Sequence, residues 1–145
     1  MQDPSTPVRW TSASGGIVID EVRPRMTSIR FSGVPQLPEF TEYLDELSRR
    51  LERQGRFVTI LDFSASTGTS MDTTRAQAQW IASHRRRLQR SAGTILVFPS
   101  PTFRFALATL LSATPLPGSY RVVGTHGEAL SIAAEMLAGA ASAPS

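Results

Sequence analysis

The chain has 145 residues, of which 41% are hydrophobic and 19% are charged, and this composition fits one globular domain with one core. It has no cysteine, which excludes disulfide bonds, thiolate catalysis and thiolate metal sites. All 15 basic residues are arginine and the formal net charge is only +3, so charge alone gives no argument for binding to nucleic acid.

Polar tails are predicted on both sides of a single domain that spans residues 15–138. Residues 1–14 are polar with two prolines, and residues 139–145 are Gly, Ala, Ser and Pro, so we predict that both segments are disordered. The first residues lack the basic and then apolar pattern of a signal peptide, and no apolar run approaches the roughly 20 residues of a membrane span. We therefore expect a soluble, cytoplasmic protein.

Two short alternating segments open the domain. Residues 16–22 and 26–31 flank Arg23-Pro24-Arg25, which predicts two antiparallel strands joined by a tight turn. A helix is predicted over residues 36–54, because apolar residues recur at helical spacing, with acidic residues early and arginines late. Residues 57–63 form a nearly continuous apolar run, typical of a strand that is buried on both faces of a parallel sheet.

The second half of the domain alternates helices with strands. Ser100 is a natural N-cap before Pro101, and Thr125 with Glu128 has the spacing of a capping box. Helices are predicted over residues 74–89, 102–112 and 125–137, and strands over 93–98 and 120–123. The predicted order is β-β-α-β-α-β-α-β-α, an α/β fold with a mixed, mostly parallel five-stranded sheet and about four helices.

The unit formed by residues 61–64, Leu-Asp-Phe-Ser, and residues 71–74, Met-Asp-Thr-Thr, resembles the STAS superfamily of bacterial anti-sigma-factor antagonists and their stressosome relatives. The later pattern, at residues 98–101, 115–117 and 121–123, is similar to that of uncharacterised STAS/SEC14-like bacterial proteins. The resemblance implies a STAS-like fold. It also implies a non-enzymatic regulatory domain that docks to other proteins, namely a kinase, an anti-sigma factor or a scaffold.

The resemblance further implies a switch at the start of the second helix. Members of the superfamily carry a phosphorylated Ser or Thr directly after an aspartate there, and Thr73, after Asp72 and before Thr74, is the matching position. A phosphate would add roughly −1.5 to −2 charge beside the N–H groups of the helix start, close to Arg75. In the alternative interpretation, Thr74 is an ordinary N-cap and Gln77 completes a capping box. The candidate switch residues are therefore Thr73 and Thr74.

The helix predicted over residues 102–112 has apolar groups around more than one face. Core packing accounts for most of them, and an exposed part would be a partner or dimer surface, which leaves a homo-oligomer open. The predicted docking surface consists of Asp72, Arg75, Phe103 and Arg104. The alternative function is a small-molecule module of the same fold, with a lipid or other apolar ligand in a cavity lined by Phe103, Phe105 and Leu107.

No set of residues for catalysis emerges from the sequence. Asp62 ends a predicted strand, where α/β folds gather functional residues, but a single aspartate there commonly hydrogen-bonds the next loop. His84 and His126 are far apart and lack metal-ligand spacing. The arginines of residues 84–90 favour a solvated helix end over an RNA site, because aromatic interleaving is missing. We therefore predict a non-enzymatic protein without a metal or cofactor.

Overall fold

The computed structural model describes residues 7–53, 56–68, 70–113 and 116–142. Within these ranges the chain forms one six-stranded sheet and five helices. The strands are β1 (Val8–Thr11), β2 (Gly15–Arg23), β3 (Met26–Gly33), β4 (Val58–Ser66), β5 (Gly93–Val97) and β6 (Tyr120–Val123). The helices are α1 (Leu37–Arg53), α2 (Met71–Ser83), α3 (Arg85–Arg90), α4 (Pro101–Ala113) and α5 (His126–Ser142).

The strands lie in the sheet in the same order as in the chain, with β1 and β6 at the edges. β1, β2 and β3 pair antiparallel, whereas β3, β4, β5 and β6 pair parallel. Parallel neighbours need a crossover connection, and α1, α2 with α3, and α4 provide the three crossovers. The carboxyl ends of the four parallel strands consequently meet at one edge of the sheet, together with the starts of the following helices.

The two faces of the sheet are covered differently. On one face, α1 packs on the antiparallel half, where Tyr43 is fully buried against the rings of Trp10 and Phe31, with centroid distances of 6.3 and 5.5 Å. On the other face, α5 brings the fully buried Ala129 and Ala133 onto β4 and β5. These small side chains let the α5 backbone approach the sheet closely.

The structure extends the domain beyond the predicted limits of 15–138. The prediction of a disordered tail is wrong for residues 8–14, because Val8 and Trp10 alternate toward the core and β1 pairs with β2. It is also wrong for residues 139–142, where the small residues Gly-Ala-Ala-Ser continue α5. Residues 1–6 and 143–145, which the same predictions cover, lie outside the described residues.

The helix predicted over residues 74–89 is two helices, α2 and α3, separated at His84. The interpretation of Thr74 as N-cap with Gln77 in a capping box is wrong, because Ser70 caps α2 and its side-chain oxygen accepts from the Thr73 N–H. With β1 and α3 added, six strands and five helices replace the predicted five and four in the described part of the chain.

The carboxylate of Glu39 closes the first turn of α1. It accepts a hydrogen bond from the Gln36 backbone N–H. Burial acts to raise the pKa of Glu39, but hydrogen bonds from the Gln36 backbone and the Ser12 side chain outweigh burial and lower the pKa below its ordinary 4.5. Because the folded pKa lies below the unfolded one, this contribution to stability is complete above pH 4.5 and is lost as the pH falls through the folded pKa.

We therefore expect Glu39→Gln to lower the free energy of unfolding by about 1 kcal/mol at pH 7, the size of a helix-cap contribution. The difference from the wild type should shrink between pH 7 and a second pH below the folded pKa of Glu39, where the carboxyl group is protonated in both states. Urea denaturation at the two pH values measures this, with Glu42→Gln at an exposed position of the same helix as control. Equal stability of Glu39→Gln and wild type at pH 7 would contradict the assignment.

Candidate functional site: an apolar cavity at the start of α2

A cavity of about 370 Å³ lies between the sheet and the helices α1, α2 and α4. It exists because α2 packs chiefly against α1, and Thr73 is its one buried residue. Among the described side chains of α4, only Leu111 is buried. Side chains on the central strands that an ordinary core would bury completely, such as Thr94 and Phe98, remain partly exposed to this space.

The wall of the cavity is apolar and carries no charge among the described residues. The sheet, α1, α2 and α4 all contribute to it, and its polar groups are hydroxyls and one amide, from residues such as Thr59, Thr94 and Gln77. The principal apolar contributors are Phe31, Phe40, Leu47, Leu61, Phe63, Trp80, Leu96, Phe98, Leu107 and Leu111. Such a lining is suited to an uncharged ligand rather than to an ion.

A row of stacked aromatic rings runs across the carboxyl edge of the sheet. Phe31 on β3 stacks on Phe63 on β4 at 4.8 Å and 9°, and Phe63 stacks on Phe98, just after β5, at 4.6 Å and 4°. Phe98 in turn lies 4.8 Å from the ring of Phe103 on α4. Phe103 is 53% exposed, so the aromatic row leads from the cavity to the outer surface of α4.

The first turn of α2 borders the cavity, and the two candidate switch residues on it differ in their exposure to solvent. Thr73 is only 3% exposed, and its Oγ1 donates to the Ser70 carbonyl oxygen at 3.0 Å. Thr74 is exposed, although its hydroxyl also donates to the Ser70 carbonyl, at 2.9 Å. A modifying enzyme could therefore reach the Thr74 hydroxyl directly, whereas reaching that of Thr73 requires the turn to open.

The predicted docking residues lie at the starts of α2 and α4. Asp72 and Arg75 are exposed on the first turn of α2, beside Met71, which is 77% exposed. On α4, Phe103 is exposed, whereas the Arg104 guanidinium is tied down by donating to the carbonyl oxygens of Phe98 and Pro99 at 2.8 and 2.9 Å. The structure thus brings these residues to the same edge of the sheet without a direct contact between the two groups in the described hydrogen bonds and ion pairs.

The predicted lining of the cavity by Phe103 and Phe105 is wrong. Phe105 is 77% exposed, and of the three predicted residues only Leu107 borders the cavity. The physical reason is the rotation of α4, in which Arg104, Leu107 and Leu111 share the face toward the sheet at helical spacing. Phe103 flanks that face and contacts the ring of Phe98 without bordering the cavity, and Phe105 is exposed.

The topology of the chain is shared with known structures. An uncharacterised protein of the DUF3478 family with a SpoIIAA-like fold, from Shewanella loihica PV-4, matches with a TM-score of 0.68 at 14% identity, over 86% of this chain and 98% of that one. The anti-sigma-factor antagonist SpoIIAA in its unphosphorylated form matches with a TM-score of 0.59 at 18% identity, over 82% of this chain and 96% of that one. The chain has a STAS-like fold. No protein-family model and no curated protein sequence matches it.

The STAS-like domain contains a polar cluster that the sequence analysis did not assemble. Buried Asp62 is the last residue of β4 that pairs with β5, and it accepts from the backbone N–H of Ser64 at 2.9 Å. The prediction that Asp62 ends its strand is wrong, because β4 continues to Ser66 and Ser64 belongs to it. The second carboxylate oxygen lies 3.2 Å from Nδ1 of His126, at the start of α5, and 3.9 Å from Nε of Arg30. Asp62 and His126 are 64 positions apart, and no local sequence pattern connects them.

The other histidine of the STAS-like domain supports the cavity wall. The His84 ring stacks on Trp80 at 4.3 Å, and Nε1 of Trp80 donates to Ser48 Oγ on α1 at 2.9 Å. The neighbouring arginines Arg85 to Arg87 are exposed, and Arg87 pairs with Glu52 at 3.0 Å. In the described part of the chain, no three His, Asp or Glu side chains group as metal ligands, and no helix is long and apolar enough to cross a membrane.

The contact between Asp62 and His126 fastens the start of α5 to β4. We expect His126→Ala to lower the free energy of unfolding by about 1 kcal/mol, because a buried carboxylate loses one hydrogen-bond partner. His126→Asn, whose amide can donate in place of Nδ1, should recover part of the loss. Urea denaturation of the three proteins measures this, and an alanine variant as stable as the wild type would show that the contact contributes nothing.

Proposed function

We propose that this chain is a non-enzymatic regulatory domain that acts by contacting other proteins through the first turn of α2. The STAS-like fold, which the anti-sigma-factor antagonist SpoIIAA shares, supports the proposal. The exposure of Met71, Asp72, Thr74 and Arg75 on one turn is the observation that carries it, because it gives a partner both apolar and charged groups. The proposed partners are of the kinase, anti-sigma-factor or scaffold type in a bacterial cytoplasm.

Phosphorylation of the first turn of α2 is the proposed switch, and accessibility favours Thr74 over Thr73 as its site. A phosphate there would lie near the N–H groups of the helix start, which favour an anion, and beside the repelling carboxylate of Asp72. On Thr73 the same group would have to displace the hydrogen bonds with Ser70 that close the turn. Phosphorylation of Thr73 therefore requires partial opening of the first turn of α2.

We expect Thr74→Glu to change which proteins bind the domain while leaving its thermal stability close to that of the wild type. Affinity capture from host lysate with wild-type, Thr74→Glu and Thr74→Ala baits, read by quantitative mass spectrometry, measures the change. Thr41→Glu is a matched control, because Thr41 is also exposed on a helix and its hydroxyl also donates to the carbonyl four residues earlier. If all four baits capture the same proteins, the proposed phosphorylation switch at Thr74 is wrong.

A second candidate function is the binding of a small apolar molecule, and the cavity favours it. Its volume of about 370 Å³ lies within the range of roughly 300–1,000 Å³ that is typical of ligand sites. It is also more than twice the roughly 150 Å³ of an engineered apolar cavity that stays dry and takes up benzene. A space of this size and polarity in a small domain is more easily explained by an occupant than by the requirements of folding.

Filling the cavity should abolish this binding. We expect Leu107→Trp to reduce the affinity for the neutral fluorophore N-phenyl-1-naphthylamine at least tenfold, because the indole would occupy part of the space. Ala106→Trp, at an exposed neighbouring position of α4, is the control and should bind like the wild type. Fluorescence titration measures the affinity, and native mass spectrometry detects a carried ligand as an added mass. Equal binding by both variants would show that the fluorophore lies elsewhere.

A further inference from the structure

We infer that the cavity takes an elongated, uncharged molecule with a flat aromatic ring system at one end and a hydroxyl or carbonyl group at the other. This inference rests on the second candidate function and specifies its ligand. It distinguishes an aromatic compound from a fatty acid or another flexible lipid. Three features of the cavity support it: the absence of charged residues from its described lining, the row of stacked phenylalanine rings, and two threonine hydroxyls without a hydrogen-bond partner.

The lining excludes a charged group from the interior. No described residue that borders the cavity is an arginine, a histidine or an acid. Exposed charged residues that neighbour lining residues in the chain, such as Asp72 and Arg75 on the first turn of α2, do not border it. Burying a carboxylate or a phosphate without a partner is strongly unfavourable, so a fatty acid could enter only with its head group left in water.

The row of rings selects a flat aromatic group. Phe31, Phe63 and Phe98 stack on one another across the strands, so their edges rather than their faces point toward the helices. An aromatic ring that lies over these edges makes edge-to-face contacts, which are worth more than the burial of the same area of an alkyl chain. Trp80 borders the same space from α2, and its position is fixed by Ser48 and His84.

Two hydroxyl groups at the other end of the cavity lack partners. Thr59 on β4 and Thr94 on β5 are direct neighbours in the parallel register, and both border the cavity. Thr59 is 9% exposed and Thr94 is partly exposed, and neither side chain has a hydrogen bond to any described residue. Because both side chains border the cavity, a ligand hydroxyl or carbonyl group can supply the missing hydrogen-bond partner.

The spacing of these features sets the length of the ligand. Thr59 and Phe63 face the same side of β4 four residues apart, which at the rise of a strand corresponds to roughly 13 Å. A molecule with its polar group between Thr59 and Thr94 and its ring at Phe63 and Phe98 would therefore be about as long as two or three fused or linked rings. The cavity volume of about 370 Å³ accommodates such a compound.

The test uses a set of probes that differ in one property each. 4-Phenylphenol is flat, uncharged and carries a hydroxyl group, biphenyl-4-carboxylate adds a charge, and 1-decanol replaces the rings with a flexible chain. Each probe is titrated against the full chain with N-phenyl-1-naphthylamine bound, and displacement is read from the fluorophore. A Trp10→Phe variant leaves Trp80 as the remaining tryptophan, so quenching of its emission reports occupancy of the cavity independently.

We expect 4-phenylphenol to bind at least tenfold more tightly than either of the other two probes. Thr59→Val, which keeps the shape and removes the hydroxyl, should weaken 4-phenylphenol about fivefold. Thr27→Val is the matched control, because Thr27 pairs with Thr59 across the sheet and has a buried hydroxyl without a partner, but does not border the cavity. Thr94→Val replaces Thr59→Val if circular dichroism shows that the latter is misfolded.

The possible outcomes distinguish an error in the proposed class of ligand from an error in the proposal that the cavity binds a ligand. Carboxylate or decanol binding as tight as that of 4-phenylphenol would overturn the proposed class while leaving a binding cavity. Equal weakening by Thr59→Val and Thr27→Val would overturn the proposed hydroxyl contact. No binding of the fluorophore or of any probe would overturn the second candidate function and this inference together.

Discussion

The right-handed connection between parallel strands determines where empty space can arise in this domain. β3 to β6 are neighbours in the sheet in the same order as in the chain, so right-handed crossovers place their helices on the same face of the sheet. α5, which follows the last strand, covers the opposite face. α5 meets its face with buried alanines and packs closely. On the face that carries the crossover helices, α1 covers the antiparallel half of the sheet and α2 packs on α1. No helix packs directly on the centre of the parallel half of that face in the described part of the chain. The cavity is thus a consequence of topology, and its apolar lining is the inner face of two central strands.

The two candidate functions meet at the first turn of α2. Thr73 borders the cavity with its side chain while its backbone and hydroxyl close the turn with Ser70. Thr74, the neighbouring residue, also borders the cavity and is exposed to a partner on the outside. An occupant of the cavity and a protein docked at the helix start would therefore contact opposite sides of the same few residues. Binding at two such sites is coupled whenever one of them alters the turn, and this coupling is reciprocal.

Patterns that depend on neighbours in the sequence predicted most of the fold. The helical spacing of α1, the capping of α4 by Ser100 and the capping of α5 by the Thr125 hydroxyl, which accepts from the Glu128 N–H, are all present in the structure. β1 was missed because four alternating residues before a glycine pair are too short a signal for an edge strand. The cap of α2 was misplaced because Ser70, Thr73 and Thr74 can each serve, and only tertiary contacts decide between them. The Asp62–His126 contact and the cavity depend on distances between remote segments, which no local pattern contains.

The edges of the sheet limit how another chain could join this domain. β1 and β6 are four residues each, and each carries an exposed arginine, Arg9 and Arg121. Short edge strands with outward charges discourage the addition of a strand from another molecule, since the incoming chain gains few backbone hydrogen bonds and meets positive charge. Recognition by strand addition is therefore disfavoured at both edges. A protein that recognises this domain is directed to its helices, where side chains rather than backbone groups provide the contacts.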